Sequence, residues 1–247
     1  MSILKKTAGF AAAVVAAATL FASQASALVV GVAGGYGGQA GMATFLNANG
    51  HTATYFGAAA PNAAQLAGLD VLVLVRTPGN TDIQNWVLGG GALVTEWDSS
   101  AWALNTANLL DATDSGGGGI GTGTPITFTA EGVAAGLSAG LPNPYSDGGQ
   151  TQFFRNLTAI GAGVDILGTR GAGIPVILGG ASGLGSTLIL GYDWQDGGFD
   201  AVLNSASEQI LLNAVSYRAS AVAEPGALAL LGLGLAGLGY MRRRRAA

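Results

Sequence analysis

The chain has 247 residues, with ten basic side chains, fourteen acidic ones, a single histidine and a formal net charge of −4. It has no cysteine, which excludes disulfides, thiolate metal sites, a lipid-modified N-terminal cysteine and a cysteine nucleophile. Six of the ten basic residues sit at the two ends, so residues 28–223 hold four arginines against thirteen acids, and a net charge of −9 repels nucleic acid and anionic lipid.

The N-terminus reads as an export signal. Lys5 and Lys6 precede an apolar run, Ala8 to Phe21, and Ala25-Ser26-Ala27 offers small residues where a signal peptidase reads them. Residues 1–27 are thus expected to be a signal peptide cleaved after Ala27. The body beyond it is long enough for one domain with a sizeable core, and residues 28–218 are read as that domain.

Leu28 to Ala33 forms a short strand that ends in the glycine cluster Gly34 to Gly41, and Gln39 to Asn49 has helical spacing through Met42, Phe45 and Leu46 with Gly50 as its stop. His51 to Phe56 alternates as a second strand. Leu69 to Val75 is a continuous apolar run, the pattern of a parallel strand covered on both faces. Thr81 to Leu88 reads as a helix capped by Thr81 or Asn80, and Ala92 to Glu96 as the next strand. The glycine-rich stretch Ser115 to Thr124 is expected to be a surface loop. Ile126 to Thr129, Val164 to Thr169, Ile174 to Leu178 and Thr187 to Tyr192 are further strands, and Val202 to Tyr217 is a closing helix. Alternation of strand and helix predicts an α/β fold, a mostly parallel open sheet flanked by helices.

The phrases LVVGVAGG, LDVLVLVR, GGGALVTEWDSSAW, STLILGYDWQDGG and QILLNAVSY, taken in order, resemble the class I glutamine amidotransferase-like architecture, a flavodoxin-like arrangement, over most of residues 28–218. The resemblance implies a nucleophilic cysteine at a strand-to-helix turn, with a histidine and an acid as partners. Here the turn after Ala92 to Glu96 carries Trp97, Asp98 and Ser99 instead. No catalytic residue is assigned, and the body is expected to be non-enzymatic.

Three alternatives stand beside that reading of the body. Gly35, Gly37 and Ala40 have the spacing of a dinucleotide fingerprint, but Tyr55, Phe56 and Gly57 stand where an acid for ribose is needed, so a tight turn is the better reading and no cofactor is expected. A substituted hydrolase would pair His51 with Ser99 or Ser100, yet His51 belongs at the opposite end of a parallel sheet from that turn. The third is a binding edge: Glu96, Trp97 and Asp98 end one strand and Asp193, Trp194 and Asp196 end another. Carboxylates beside indoles suit a sugar or a calcium ion, with an exopolysaccharide as the candidate partner; the plain reading is a capped, solvated sheet edge.

The chain closes with residues 219–223 as a linker and then a three-part segment, 224–247. Glu224 and Pro225 come first, Gly226 to Met241 is an uncharged run, and Arg242, Arg243, Arg244 and Arg245 complete it. As a helix the run would reach about 24 Å, short of the ~30 Å hydrocarbon core but tolerable if the arginines snorkel. This order resembles the PEP-CTERM sorting signal of Gram-negative bacteria, with Ala223 in place of the first proline. The resemblance implies a transient transmembrane helix over 226–241, cleavage by an exosortase-type membrane protease and delivery to the cell surface or medium.

Overall fold

The computed structural model describes residues 27–35, 38–146, 153–193 and 205–218. The signal peptide as far as Ser26, residues 219–247 with Glu224, Pro225 and the four arginines, Trp194 and Asp196, and the predicted start of the last helix at residues 202–204 lie outside these.

Strands β1 (Val29–Gly34), β2 (Thr52–Tyr55), β3 (Val71–Val75) and β4 (Ala92–Glu96) alternate with helices α1 (Gln39–Ala48), α2 (Ala63–Leu66) and α3 (Thr81–Leu88). After β4 the chain makes one turn of helix, α4 (Ser99–Ala101), that widens into a π-helix over Trp102–Thr106. Then come β5 (Thr113–Gly119), β6 (Ile126–Phe128), α5 (Ala130–Ala134), β7 (Phe153–Thr158), β8 (Val164–Arg170), β9 (Ile174–Ser182), β10 (Gly185–Leu190) and α6 (Ser205–Ser216). The main sheet has eight strands in the order β2-β1-β3-β4-β10-β9-β8-β6. From β2 to β10 all pairings are parallel; β9, β8 and β6 add on antiparallel. The helices on both faces are what a parallel sheet of this kind requires.

Alternation sorts the core into two layers. Val71, Val73 and Val75 of β3 join Met42 and Leu46 of α1 and Ile210, Leu211 and Val215 of α6 on one face. Leu72 and Leu74 point the other way, toward Ile83 and Val87 of α3 and toward Trp102 and Leu104. Asn80 caps α3, its side chain accepting from the Ile83 amide at 2.9 Å. Among the described residues no helix is long and apolar enough to cross a membrane; residues 226–241 are not among them.

One element departs from expectation. The glycine-rich stretch is not wholly a loop, because Thr113–Gly119 pairs antiparallel with Phe153–Thr158 as a separate two-stranded sheet. A Cβ at Gly117 would strike the Phe154 carbonyl, so the glycines serve a close backbone approach that composition alone disguises as low complexity. This small sheet lies beside the carboxyl end of β10: the Arg155 amide donates to the Gly191 carbonyl at 2.7 Å and the Asp193 amide to that of Phe153 at 2.9 Å.

Candidate functional site

The carboxyl edge of β3, β4 and β10 is where a parallel sheet offers its ligand site. Glu96, the last residue of β4, registers with Val75 of β3 and Leu190 of β10. The next residue in each of two strands then takes a conformation that non-glycine residues rarely adopt: Arg76 has φ 44° and Trp97 φ 38°. Holding non-glycine residues in this region costs energy that the surrounding packing must offset. The side chain that this second turn presents, Trp97, is an indole.

Around that indole the edge is closed by ion pairs. Arg76 Nε lies 3.4 Å from Glu96 Oε2, and its Nη2 pairs closely with Asp193 Oδ2. Glu96 is fully buried and Asp193 is 2% exposed, so the expected solvated edge is absent here: charges this deep need a partner, and Arg76 supplies it. The Arg76 guanidinium stands 5.0 Å from the Trp97 ring centre and that of Arg155 5.6 Å, both within cation–π range. Arg155 Nε in turn reaches both Asp114 carboxylate oxygens, at 3.1 and 2.9 Å. The Ser100 hydroxyl donates to that carboxylate at 2.6 Å.

Asp98 stands apart from this network. It precedes α4 in the N-cap position, yet its side chain accepts nothing from the helix, because the Ser100 and Ala101 amides already donate to the Trp97 and Asp98 carbonyls. Asp98 Oδ1 is buried without a hydrogen-bond partner among the described residues. A cavity of about 350 Å³ opens beside it, between the turn after β3 and the π-helix.

The structure thus brings Glu96, Trp97, Asp98 and Asp193 to one edge and turns them to different tasks. Glu96 and Asp193 face a cation, Trp97 packs near two arginines, and Asp98 lines a cavity. Among the described residues no three acids or histidines stand close enough to hold a metal ion. Sequence reasoning missed Arg76, Asp114 and Arg155. The two arginines had a signal in their scarcity, since only Arg76, Arg155, Arg170 and Arg218 remain between residues 28 and 223, and Arg76 directly follows an apolar strand; Asp114, one of thirteen acids in that span, had none.

His51 and Ser99 do not meet. His51 precedes β2, whose Thr52 registers with Val29 at the start of β1, while Ser99 lies beyond the far end of β4. The His51 ring accepts from the Leu28 amide at 3.3 Å, and burial pushes its pKa down. Ser99 Oγ accepts from the Thr77 amide at 3.1 Å, tying the two strained turns together. Tyr55, standing where a nucleotide-binding acid would be, donates to the Gly34 carbonyl at 2.9 Å.

Residues 221–245 match the family described as the PEP-CTERM protein-sorting motif, which supports an exported protein processed by an exosortase. No curated protein matches the chain in sequence. Among solved structures the chain is similar to two cytoplasmic proteins of Salmonella typhimurium, each at 13% identity. One has a TM-score of 0.57, with 76% of this chain and 97% of the other covered; the second has a TM-score of 0.54, with 78% and 100% covered. It is also similar to a protein described as a candidate GMP synthase component from Thermoplasma acidophilum, at 9% identity and TM-score 0.53, with 77% of this chain and 94% of that one covered. These likenesses establish a shared α/β fold.

Proposed function

We propose that the chain is an exported bacterial protein whose body, residues 28–218, is a non-catalytic α/β domain delivered to the cell surface or medium by its C-terminal signal. The sorting-motif match at residues 221–245 carries the reading. Signal peptidase removes residues 1–27, the segment 226–241 holds the chain in the inner membrane, and an exosortase-type protease acts near Glu224 and Pro225.

The geometry of the strained turn supports a body without hydrolytic activity. The turn after β4, where the amidotransferase resemblance would put a cysteine, carries Trp97, Asp98 and Ser99 instead, and an indole has no thiol or hydroxyl with which to attack a carbonyl. The only histidine is at the other end of the sheet. Calcium at this edge is disfavoured, since Glu96 and Asp193 already face Arg76 and the ion would have to displace a buried guanidinium.

The mass of the protein recovered from the surface or medium of the producing cells tests the reading. A mature form that begins at Leu28 and lacks the apolar run with its arginines is expected. A form that retains Met1 or carries the complete tail would overturn it.

A further inference from the structure

We propose that strand β2 is a self-pairing edge held closed by Asn47. That side chain occupies the backbone groups through which β2 would otherwise join β2 of a second copy of this chain, antiparallel across a two-fold axis. The inference concerns the folded body alone and stands whatever the route by which the chain is sorted.

The eight-stranded sheet has β2 at one edge and β6 at the other. The Thr52 amide donates to the Leu28 carbonyl at 2.8 Å and the Phe56 amide to that of Val32 at 2.9 Å. Peptide groups alternate in direction along a strand, so Ala53 and Tyr55 turn theirs away from β1. An open row of such groups is a template for another strand. Little else on β2 discourages pairing: residues 51–56 hold no lysine, arginine, carboxylate or proline, and the register with β1 has no bulge. Thr52, Thr54 and Tyr55 are exposed and of the types that favour strands.

Asn47 supplies the guard. From the last turn of α1, its Oδ1 accepts from the Ala53 amide at 2.9 Å and its Nδ2 donates to the Ala53 carbonyl at 2.9 Å. A side-chain amide carries a donor and an acceptor side by side, so it stands in for one residue of a neighbouring strand. A further bond from Nδ2 to the Ala43 carbonyl, 2.9 Å, fixes the side chain to its own helix. The opposite edge is closed in the same way. Phe128 of β6 donates its amide to Asn143 Oδ1 at 2.9 Å and accepts from Asn143 Nδ2 at 3.1 Å, while Ile126 exchanges both backbone bonds with Tyr145. Two asparagines from separate parts of the chain thus make the same pair of bonds on the two outermost strands, which points to closure of the sheet and not to a local turn.

The geometry also sets how a freed β2 would pair. In an antiparallel ladder, facing residues of the hydrogen-bonded kind exchange both bonds. Ala53 of one copy would then face Tyr55 of the other, and Thr54 would face Thr54 on the axis. Such a contact uses the same patch twice and closes at a dimer. Thr54 would fall in a pair without backbone bonds, where Cα atoms stand about 4.5 Å apart, inside the ~4.4–6.8 Å that a disulfide spans.

The chain has no cysteine, so a single introduced thiol reports this contact alone. The full-length chain carrying Thr54→Cys is oxidised with diamide in mild detergent, with and without Asn47→Ala or Asn47→Leu, each of which deletes the cap. Non-reducing electrophoresis reads the cross-linked dimer, and thermal melts confirm that the variants fold. Either substitution should raise the dimer fraction about tenfold or more over Thr54→Cys alone. Thr44→Cys, exposed on α1, should show no such rise with the same substitutions, which separates edge pairing from association through unfolding or through the tail. A dimer yield from Thr54→Cys that neither cap deletion changes, or an equal rise from Thr44→Cys, would overturn the proposal.

Discussion

Two guanidinium groups lie within cation–π range of Trp97, and each arginine is itself anchored to acids, Arg76 to Glu96 and Asp193 and Arg155 to Asp114. The consequence is that the edge is held by charge in a dry place. Replacing Arg76 with methionine would leave Glu96 and Asp193 buried without their cation, a change that costs roughly 3–5 kcal/mol when one partner of a buried pair is removed. Urea denaturation should show a loss of that order, and adding Glu96→Gln and Asp193→Asn to the methionine variant should recover part of it. A loss below ~1 kcal/mol would mean that the network contributes little. Tyr217 gives a second residue-level prediction. Burial, aided by the Asp165 charge, pushes its hydroxyl from 10.0 up to about 12. The folded chain thus keeps that proton at pH values where the unfolded chain releases it, near 10. The stabilisation is whole below pH 10 and is lost as pH rises from about 10 to about 12. Unfolding free energy measured from pH 9 to 12 should fall more steeply for the parent than for Tyr217→Phe, and parallel curves would refute the assignment.

At the scale of elements, the β9 strand shows how glycine shapes a face. A Cβ at Gly179 would collide with the Tyr217 hydroxyl and with Leu167 Cδ1, so the sheet is left bare there to receive the ring just beyond α6. Gly179→Ala should therefore overpack the layer and lower stability by about 1–3 kcal/mol, read as a fall in melting temperature; an unchanged melt would show that Tyr217 moves aside freely. Elements whose signal is local were legible in the sequence. Thr81–Leu88 and Ala92–Glu96 have the bounds expected, because an Asn80 cap, a helical period and a bounding glycine run all lie within a dozen residues. The strand directions beyond β10 were not, since β9, β8 and β6 turn antiparallel through contacts distant in sequence. Ser115–Gly119, within the strand Thr113–Gly119, reads as loop in the sequence because its pairing depends on Phe153–Thr158, some forty residues later. The same limit applied to the site. Glu96, Trp97, Asp98 and Asp193 were visible as a cluster at strand ends, but their division between an ion-pair network and a cavity depends on Arg76 and Arg155, whose side chains only the fold brings to them.

For the whole molecule, both ends of the described body meet at one edge of the sheet. The Val29 amide donates to Asp70 Oδ2 at 2.8 Å, and the same Asp70 charge acts on Arg218 at the end of α6, opposing the lowering of its pKa by burial. The Asp98 cavity opens at the opposite, carboxyl edge. The two halves of the C-terminal segment should separate in function. Proline at 225 fixes φ and lacks a backbone donor, so Glu224-Pro225 should interrupt any helix entering from the linker and leave an accessible stretch outside the membrane. The arginines act by cost: each resists transfer into the bilayer by about 2.5–3.5 kcal/mol, and four in succession should stop a span that is itself short. Replacing Glu224 and Pro225 with alanine should leave an unprocessed, membrane-bound chain, while replacing Arg242 to Arg245 should let the chain pass through uncleaved. Fractionation and then mass measurement distinguish the two, and a double-alanine variant that reaches the surface at the parent's mature mass would show that the segment serves only as an anchor.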